Sequence, residues 1–408
     1  MNNKTVKLNR DLLLNVLFCY LLSFSVFLST FTQLVRTVIG SVYRLDTVFM
    51  YGIAILLICV NIPVLAKRIK VKDAAFVVIV FTLLILSATS KSANQSFLLP
   101  TLRTCFITCV PLYFTAIAVK DTESLDRCLK VMAYIAVLCG VMSLFWLNSN
   151  IKDESYSQSF GYMLLPSSVI LFREIIKKFS AITLGVWVVS LTLLLFSGAR
   201  GPLLSVVAFS FIYLLIKTDK RKKKSVFGMV AMLSLIAVAV LKFNSLVDFA
   251  YRISLKIGVN TRILDKLTEG ELLSSSGRNN YYDFVIDYIK SHPLIGSGMI
   301  NDRAIIANAL SVPAEDAYGA YPHNFFLELF MQFGIVIGSV IIIAFLGLLI
   351  YTLFGKFKSS YKEYLIMFLF IGFVPLMASG SYITFQGFYV LLGIMAATLR
   401  NGRLVRNG

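Results

Sequence analysis

Apolar runs long enough to cross a bilayer recur along almost the whole chain, mostly joined by short connections. A transmembrane helix needs about 20 largely apolar residues. Twelve stretches meet or approach that length: 12–32, 47–66, 73–90, 97–119, 128–148, 159–176, 181–197, 202–217, 226–241, 323–353, 361–377 and 383–399. The sixth is interrupted by Pro166 and diluted by Ser167 and Ser168, which a span tolerates where neighbouring helices satisfy its backbone. The pattern predicts an all-α polytopic membrane protein of about twelve transmembrane helices. Residues 1–241 carry helices one to nine, 242–322 form a long loop, and 323–408 carry helices ten to twelve.

The loop has a pattern of its own. Leu246, Phe249, Ile253 and Ile257 recur at helical spacing, as in a helix lying on a membrane surface. A second helix is expected from Asn279 to about Lys290, with Ser276 as cap and Phe284, Tyr288 and Ile289 as its apolar face. His292-Pro293 ends it, because a residue before proline avoids helical angles. Gly296-Ser297-Gly298 then makes a turn whose backbone can approach a ligand closely.

Composition agrees with the membrane reading: the chain is 58% hydrophobic and 15% charged, with mean hydropathy +0.80. A net charge of +18 raises the question of nucleic acid, and its distribution answers it. With the N-terminus inside, 25 of the 39 Lys and Arg fall in cytoplasmic segments. Eight of the other 14 lie in the long loop, where nine acidic residues, Glu315 and Asp316 among them, offset them. This is the positive-inside bias of a membrane protein, so no nucleic-acid partner is expected. KTDKRKKK at 217–224 reads as a cytoplasmic anchor near anionic lipid. Both termini are then cytoplasmic and 242–322 is external. The six cysteines fall in spans or on the inner side with no zinc-site spacing, so neither an external disulfide nor a metal centre is expected. Cys105 and Cys109, one turn apart, read as small residues on a packing face.

Three basic residues on this topology share the outer interface. Arg200 lies in the short turn SGARGP between spans seven and eight, Arg278 in Ser276-Gly277-Arg278 begins the second loop helix, and His323 begins span ten. Singly, each has a plain structural account. An arginine at a helix end snorkels to headgroups, a loop arginine is a solvated charge, and a histidine among aromatics is a hydrogen-bonded interface residue. Together they suit one chemistry: two arginines grip a diphosphate by bidentate hydrogen bonds, and a histidine titrating near neutral pH accepts a proton from an attacking sugar hydroxyl. Asn324, Tyr321 and Arg103 are further candidates to line such a site, with Lys91 near the outer end of span three.

These residues resemble the superfamily of bacterial O-antigen polymerases and O-antigen ligases. The likeness rests on the twelve-span layout, the late outer loop, SGARG, SGR followed by an amphipathic helix and HPLIGSGM, and HNFFLELFMQFGIVIG. In that family the histidine is followed by Asn, Ser or Gln, nine residues and Gly-x-x-Gly. Here Gly334 is in place but the second glycine is Gly338, giving a GxxxG suited to close helix packing. The resemblance implies a metal-independent, inverting glycosyltransferase without a cofactor, at the outer face of the bacterial cytoplasmic membrane. Its substrate would be an undecaprenyl-diphosphate-linked glycan. Arg200 and Arg278 would bind the diphosphate, and His323 would deprotonate or orient the acceptor hydroxyl. Membrane lipids, a chain-length regulator and a flippase are the implied partners. Polymerisation of repeat units into a surface polysaccharide is the leading expectation, and ligation to lipid A core differs from it in the acceptor alone. A lipid-linked glycan transporter fits the hydropathy equally well but wants charge near the middle of several spans and two matching halves, neither of which the chain offers. A non-catalytic scaffold has no need of basic residues on three segments of one face.

Overall fold

The computed structural model describes residues 9–39, 45–89, 95–150, 158–197, 199–217, 278–313 and 317–401, with isolated residues between 230 and 256. Span nine, the first loop helix and the cap Ser276 lie largely or wholly outside the described residues, as do Lys91, Glu315 and Asp316. The described part is helical throughout: α1 Arg10–Leu22, α2 Phe24–Ile39, α3 Leu45–Arg68, α4 Val71–Thr89, α5 Gln95–Thr104, α6 Val110–Ala118, α7 Thr122–Asn150, α8 Gln158–Lys177, α9 Ala181–Phe196, α10 Arg200–Lys217, α11 Arg278–Ser291, α12 Asn301–Ala309, α13 Phe325–Phe354, α14 Ser359–Phe368 and α15 Gln386–Asn401. Five of the described helical stretches are long and apolar enough to cross a bilayer, or six if the pair α1 and α2, bent by 66° about Ser23, counts as one span. Ala181–Phe196 and Gly201–Lys217 are apolar but shorter.

The stretch weakest by sequence turns out to be central. Seventy-two per cent of the Ser159–Lys177 window is buried, the largest share among the five. It packs against α7, α9 and α10, and the Ser168 hydroxyl donates to Ser190 Oγ on α9 at 3.0 Å. Pro166 and the two serines dilute its hydropathy, yet protein and not lipid surrounds it, so polarity there meets partners. Cys105 and Cys109 lie in a turn of π-helix between α5 and α6, both buried, with their thiols donating to the carbonyls of Ile383 and Thr384.

One end of the bundle gathers charge. Arg173 near the end of α8 donates to Glu363 of α14 at 2.6 Å and to Asp126 of α7 at 2.7 Å, while Lys177 and Lys217 also reach Glu363. Nearby, Arg68 pairs with Asp11 and Arg400 with Asp73. The long apolar helix α13 leads into this end through 355–358.

The other end of α13 departs from a simple span. Thirty residues of unbroken helix would separate Phe325 from Phe345 by about 30 Å, yet their ring centroids are 5.5 Å apart. The helix therefore folds back on itself. The reversal falls at Gly334, whose φ of 77° is open to glycine and strained for other residues. Past it, Gly338 packs against Phe330 of the returning arm, where a Cβ would meet Phe330 Cδ1 at 2.8 Å. The close approach expected of GxxxG thus occurs between the two halves of one helix. Residues 293–298 cap the reversal: Ser297 and Gly298 donate to the carbonyls of Met331 and Gln332, and Ile335 donates to the Pro293 carbonyl at 2.7 Å. The Gly296-Ser297-Gly298 turn accordingly approaches protein backbone, not open space for a ligand. The second loop helix, expected from Asn279 to Lys290, is α11, and α12 was not anticipated. The long arm, 335–354, is by itself about 30 Å long and sufficient to span the hydrocarbon. Its partner arm, 325–333, runs back alongside, so His323 lies about 14 Å along the bundle from the reversal, level with the middle of the long arm and deeper than the helix-end position at the outer interface that the apolar run predicts.

Candidate functional site

Asn324 starts the folded-back arm as its N-cap. Its Oδ1 accepts from the backbone N–H groups of Phe326 and Leu327, and its Nδ2 donates to the Met377 carbonyl at 3.2 Å. These contacts make Asn324 a structural anchor of the segment before it, the broken stretch 369–377 holding the other side. His323, immediately ahead, takes a left-handed conformation with φ 54° and is half-buried. Such a backbone places its ring outside any regular helical register. The ring is set instead between two tyrosines, Tyr321 at 4.3 Å and Tyr281 at 6.1 Å between centroids.

Both tyrosines connect the histidine to the other candidates. Tyr281 sits three residues into α11, one turn from Arg278 at its first position. Tyr321 donates its hydroxyl to the Ser379 carbonyl at 2.8 Å, two residues past the 374–377 turn against which α10 packs. Tyr162 packs edge-on against Phe385 at 5.9 Å, and its hydroxyl occupies the position that a Cβ on Gly201 would need. Gly201 is thus required by the contact with Tyr162. The space that glycine leaves beside Arg200 is filled by the tyrosine and not held open for an anion. Arg200 and Arg278 are the first residues of α10 and α11, and their side chains lie outside the description. By backbone, α11 lies against α13, and α10 against the 374–377 turn whose Met377 carbonyl holds Asn324.

Arg103 does not join them. It is exposed in the last turn of α5, with its guanidinium 5.6 Å from the Tyr51 ring centre. The helix face that meets this region belongs to Thr101, whose hydroxyl pairs with that of Tyr318 at 3.3 Å. Two residues along a helix turn the side chain through about 200°, which points Arg103 away.

Beneath Tyr321 lies an ion cluster that the sequence reading passed over. The Arg303 guanidinium faces the ring of Tyr321 at 5.2 Å and that of Tyr318 at 5.7 Å. It donates to Asp302 at 3.2 Å and to Ser381 Oγ at 2.9 Å, and lies 4.0 Å from Glu328 on the folded-back arm. Glu328 accepts in turn from the Ser381 hydroxyl and the Tyr382 N–H. Asp302, Arg303 and Glu328 are all at most 1% exposed. Burial pushes the Asp302 carboxyl up, and the charge of Arg303 beside it opposes that rise. Burial and the neighbouring Glu328 likewise raise the Tyr321 phenol, keeping it protonated and a donor to Ser379. Two signals could have revealed the cluster: a carboxylate inside the apolar run HNFFLELF, and an Asp-Arg pair directly after GSGMIN. Among the described residues, no group of three or more His, Cys, Asp or Glu could hold a metal ion.

An apolar helical frame with long hydrophobic helices, enclosing ionisable groups and a half-buried histidine in a folded-back segment, belongs to an integral membrane protein. Within it, residues 185–342 match the family described as O-antigen ligase, which supports the superfamily of O-antigen polymerases and ligases. That family acts on lipid-linked glycans, and the match supports glycan processing of the O-antigen ligase or polymerase type. The matched segment contains Arg200, Arg278, Tyr321, His323 and Asn324 and leaves Arg103 outside. Neither the curated proteins nor the solved structures gave a match to this chain.

Proposed function

We propose that the protein is a glycosyltransferase that polymerises undecaprenyl-diphosphate-linked oligosaccharide repeat units into a surface polysaccharide at the outer face of a bacterial cytoplasmic membrane. The observation that carries this reading is the coincidence of two boundaries. The segment matching the O-antigen ligase family contains all three basic candidates; α11 approaches His323 through Tyr281, and α10 packs against 374–377, whose Met377 carbonyl holds the neighbouring Asn324.

In this reading Arg200 and Arg278 bind the donor diphosphate. His323, fixed between two tyrosine rings, removes the proton of the acceptor hydroxyl or orients that hydroxyl. The acceptor oxygen attacks the anomeric carbon from the face opposite the diphosphate, and the carbon–oxygen bond to the diphosphate breaks with inversion. The charge left on the lipid diphosphate is stabilised by the two guanidinium groups. Single donors to a developing anion are worth about 3 to 4 kcal/mol in other enzymes, and a positioned base contributes about 10²- to 10⁴-fold. No metal or cofactor is assigned a part, as the sequence resemblance implies.

The match to the O-antigen ligase family favours one second reading, ligation of the finished glycan to lipid A core. Donor chemistry is shared and the acceptor differs. Full-length protein in proteoliposomes supplied with undecaprenyl-diphosphate-linked repeat units alone should give a ladder of products if it is a polymerase. Product only upon addition of lipid A core identifies a ligase. Absence of transfer to either acceptor overturns both.

A further inference from the structure

We propose that Arg303 is a positioning residue for His323, acting through the ring of Tyr321 and held in place by Asp302, Glu328 and Ser381. The inference rests on the reading that His323 handles the acceptor hydroxyl. It extends that reading to a group that does not touch the substrate.

The first support is the way His323 is oriented. Its left-handed backbone takes the ring out of helical register, so its neighbours aim it, and Tyr321 is the nearest described ring at 4.3 Å. Tyr321 is held at both ends, by the Ser379 carbonyl at its hydroxyl and by the guanidinium against its face.

The second is the composition of the cluster. Sealing two acidic side chains and one guanidinium in an apolar frame costs several kcal/mol of desolvation, and well-packed apolar residues in such places are often as stable or more so. The immediate neighbours show that alternative in use: Phe325 packs on Phe345, Phe373 and Phe388. Stability alone therefore gives no reason for ions here, whereas aiming a ring does. A planar cation can lie against Tyr318 and Tyr321 while donating to Asp302 and Ser381, and a lysine ammonium cannot do all of this at once.

The third is strain. Ile300 adopts φ 70°, a conformation that a β-branched residue takes at a cost of about 1 to 3 kcal/mol. It is fully buried at the N-cap of α12, three residues ahead of Arg303. This bend sets the start of the helix that carries Asp302 and Arg303 to the rings.

The test uses full-length protein in a His292→Gln background, where His323 is the single imidazole of the chain. Two quantities are measured: carbethoxylation of His323 by diethyl pyrocarbonate, followed by mass spectrometry, and steady-state transfer from undecaprenyl-diphosphate-linked repeat units. Arg303→Lys should lower kcat about 10- to 100-fold, the scale of a misplaced group, with KM for the lipid-linked donor unchanged. It should also speed carbethoxylation about two- to tenfold, as loss of an aromatic contact allows. Tyr321→Leu should speed carbethoxylation in the same way, and it decides the matter if Arg303→Lys fails to fold. Folded Arg303→Lys with unchanged kcat and unchanged His323 reactivity overturns the proposal, as does unchanged reactivity in Tyr321→Leu. Full transfer by His323→Ala would instead overturn the assigned role of the histidine, while the carbethoxylation rates would still report whether Arg303 positions it.

Discussion

Two arginines are buried among the described residues, Arg173 and Arg303, and their surroundings differ instructively. Arg173 joins four helices at the charged end: α7 through Asp126, its own α8, and α14 through Glu363, which also receives Lys217 from α10. Tyr213 and Tyr364 add hydroxyl donors to the same carboxylates. Lys177 and Lys217 are each about a third exposed, 31% and 35%, so this cluster opens to solvent through long side chains that keep their ammonium groups wet. It lies on regular helices. Arg303 is sealed, stands among fewer cations than carboxylates, and is tied to two non-glycine residues at positive φ, to Ile300 through its backbone N–H and to His323 by way of Tyr321. One cluster clamps helices together; the other costs strain and desolvation and lies against the tyrosine that packs on a histidine. A buried ion pair is therefore not in itself a sign of function, and the strained backbone and the adjoining titratable ring separate the two cases.

Mutations that exploit this contrast have graded effects. His323→Ala should reduce transfer about 10²- to 10⁴-fold at unchanged protein level, as measured by polymer length and by initial rates; normal chain length would remove the histidine from the chemistry. Arg278→Ala and Arg200→Lys should each cost about 10²- to 10³-fold, because a point charge does not reproduce a bidentate grip. Full activity of Arg200→Lys would return that residue to a headgroup-facing role. Arg173→Met should act in the opposite sense, lowering stability by about 3 kcal/mol, read as a lower Tm and yield, with kcat of the folded fraction unchanged. A kcat loss there without a stability loss would erase the distinction between the two clusters. Arg127→Ala removes an exposed pair with Glu123 at 3.9 Å and should change stability by less than about 0.5 kcal/mol and activity not at all.

Much of the helical layout was legible because a bilayer demands long apolar runs, and α11 was legible because His292-Pro293 stops it. What hydropathy could not convey was direction. An apolar run of 30 residues from Phe325 to Phe354 reads as one long span, and nothing in its composition announces that Gly334 turns it back. The same blindness hid Glu328, averaged away in the window, and Arg303, which pattern alone assigns to solvent. Pro166 and its serines misled in the other direction, since the hydropathy of α8 is low where its burial is greatest. His323, Arg200 and Arg278 were singled out by residue type and position, whereas the contacts that link their segments, Tyr162 on Gly201 and Tyr281 on His323, are tertiary and leave no periodic trace.

In the proposed function, the starts of α10 and α11 and the segment before α13 form one receptor for a lipid diphosphate. Photo-crosslinking of the full-length protein in nanodiscs with a photoreactive polyprenyl diphosphate, mapped by mass spectrometry, tests this directly. Label should appear on peptides containing 199–202, 278–281 and 321–324, and competition by undecaprenyl diphosphate should remove it from all three together. Label confined to the Arg173 end of the bundle, or to one of the three segments alone, would contradict the account.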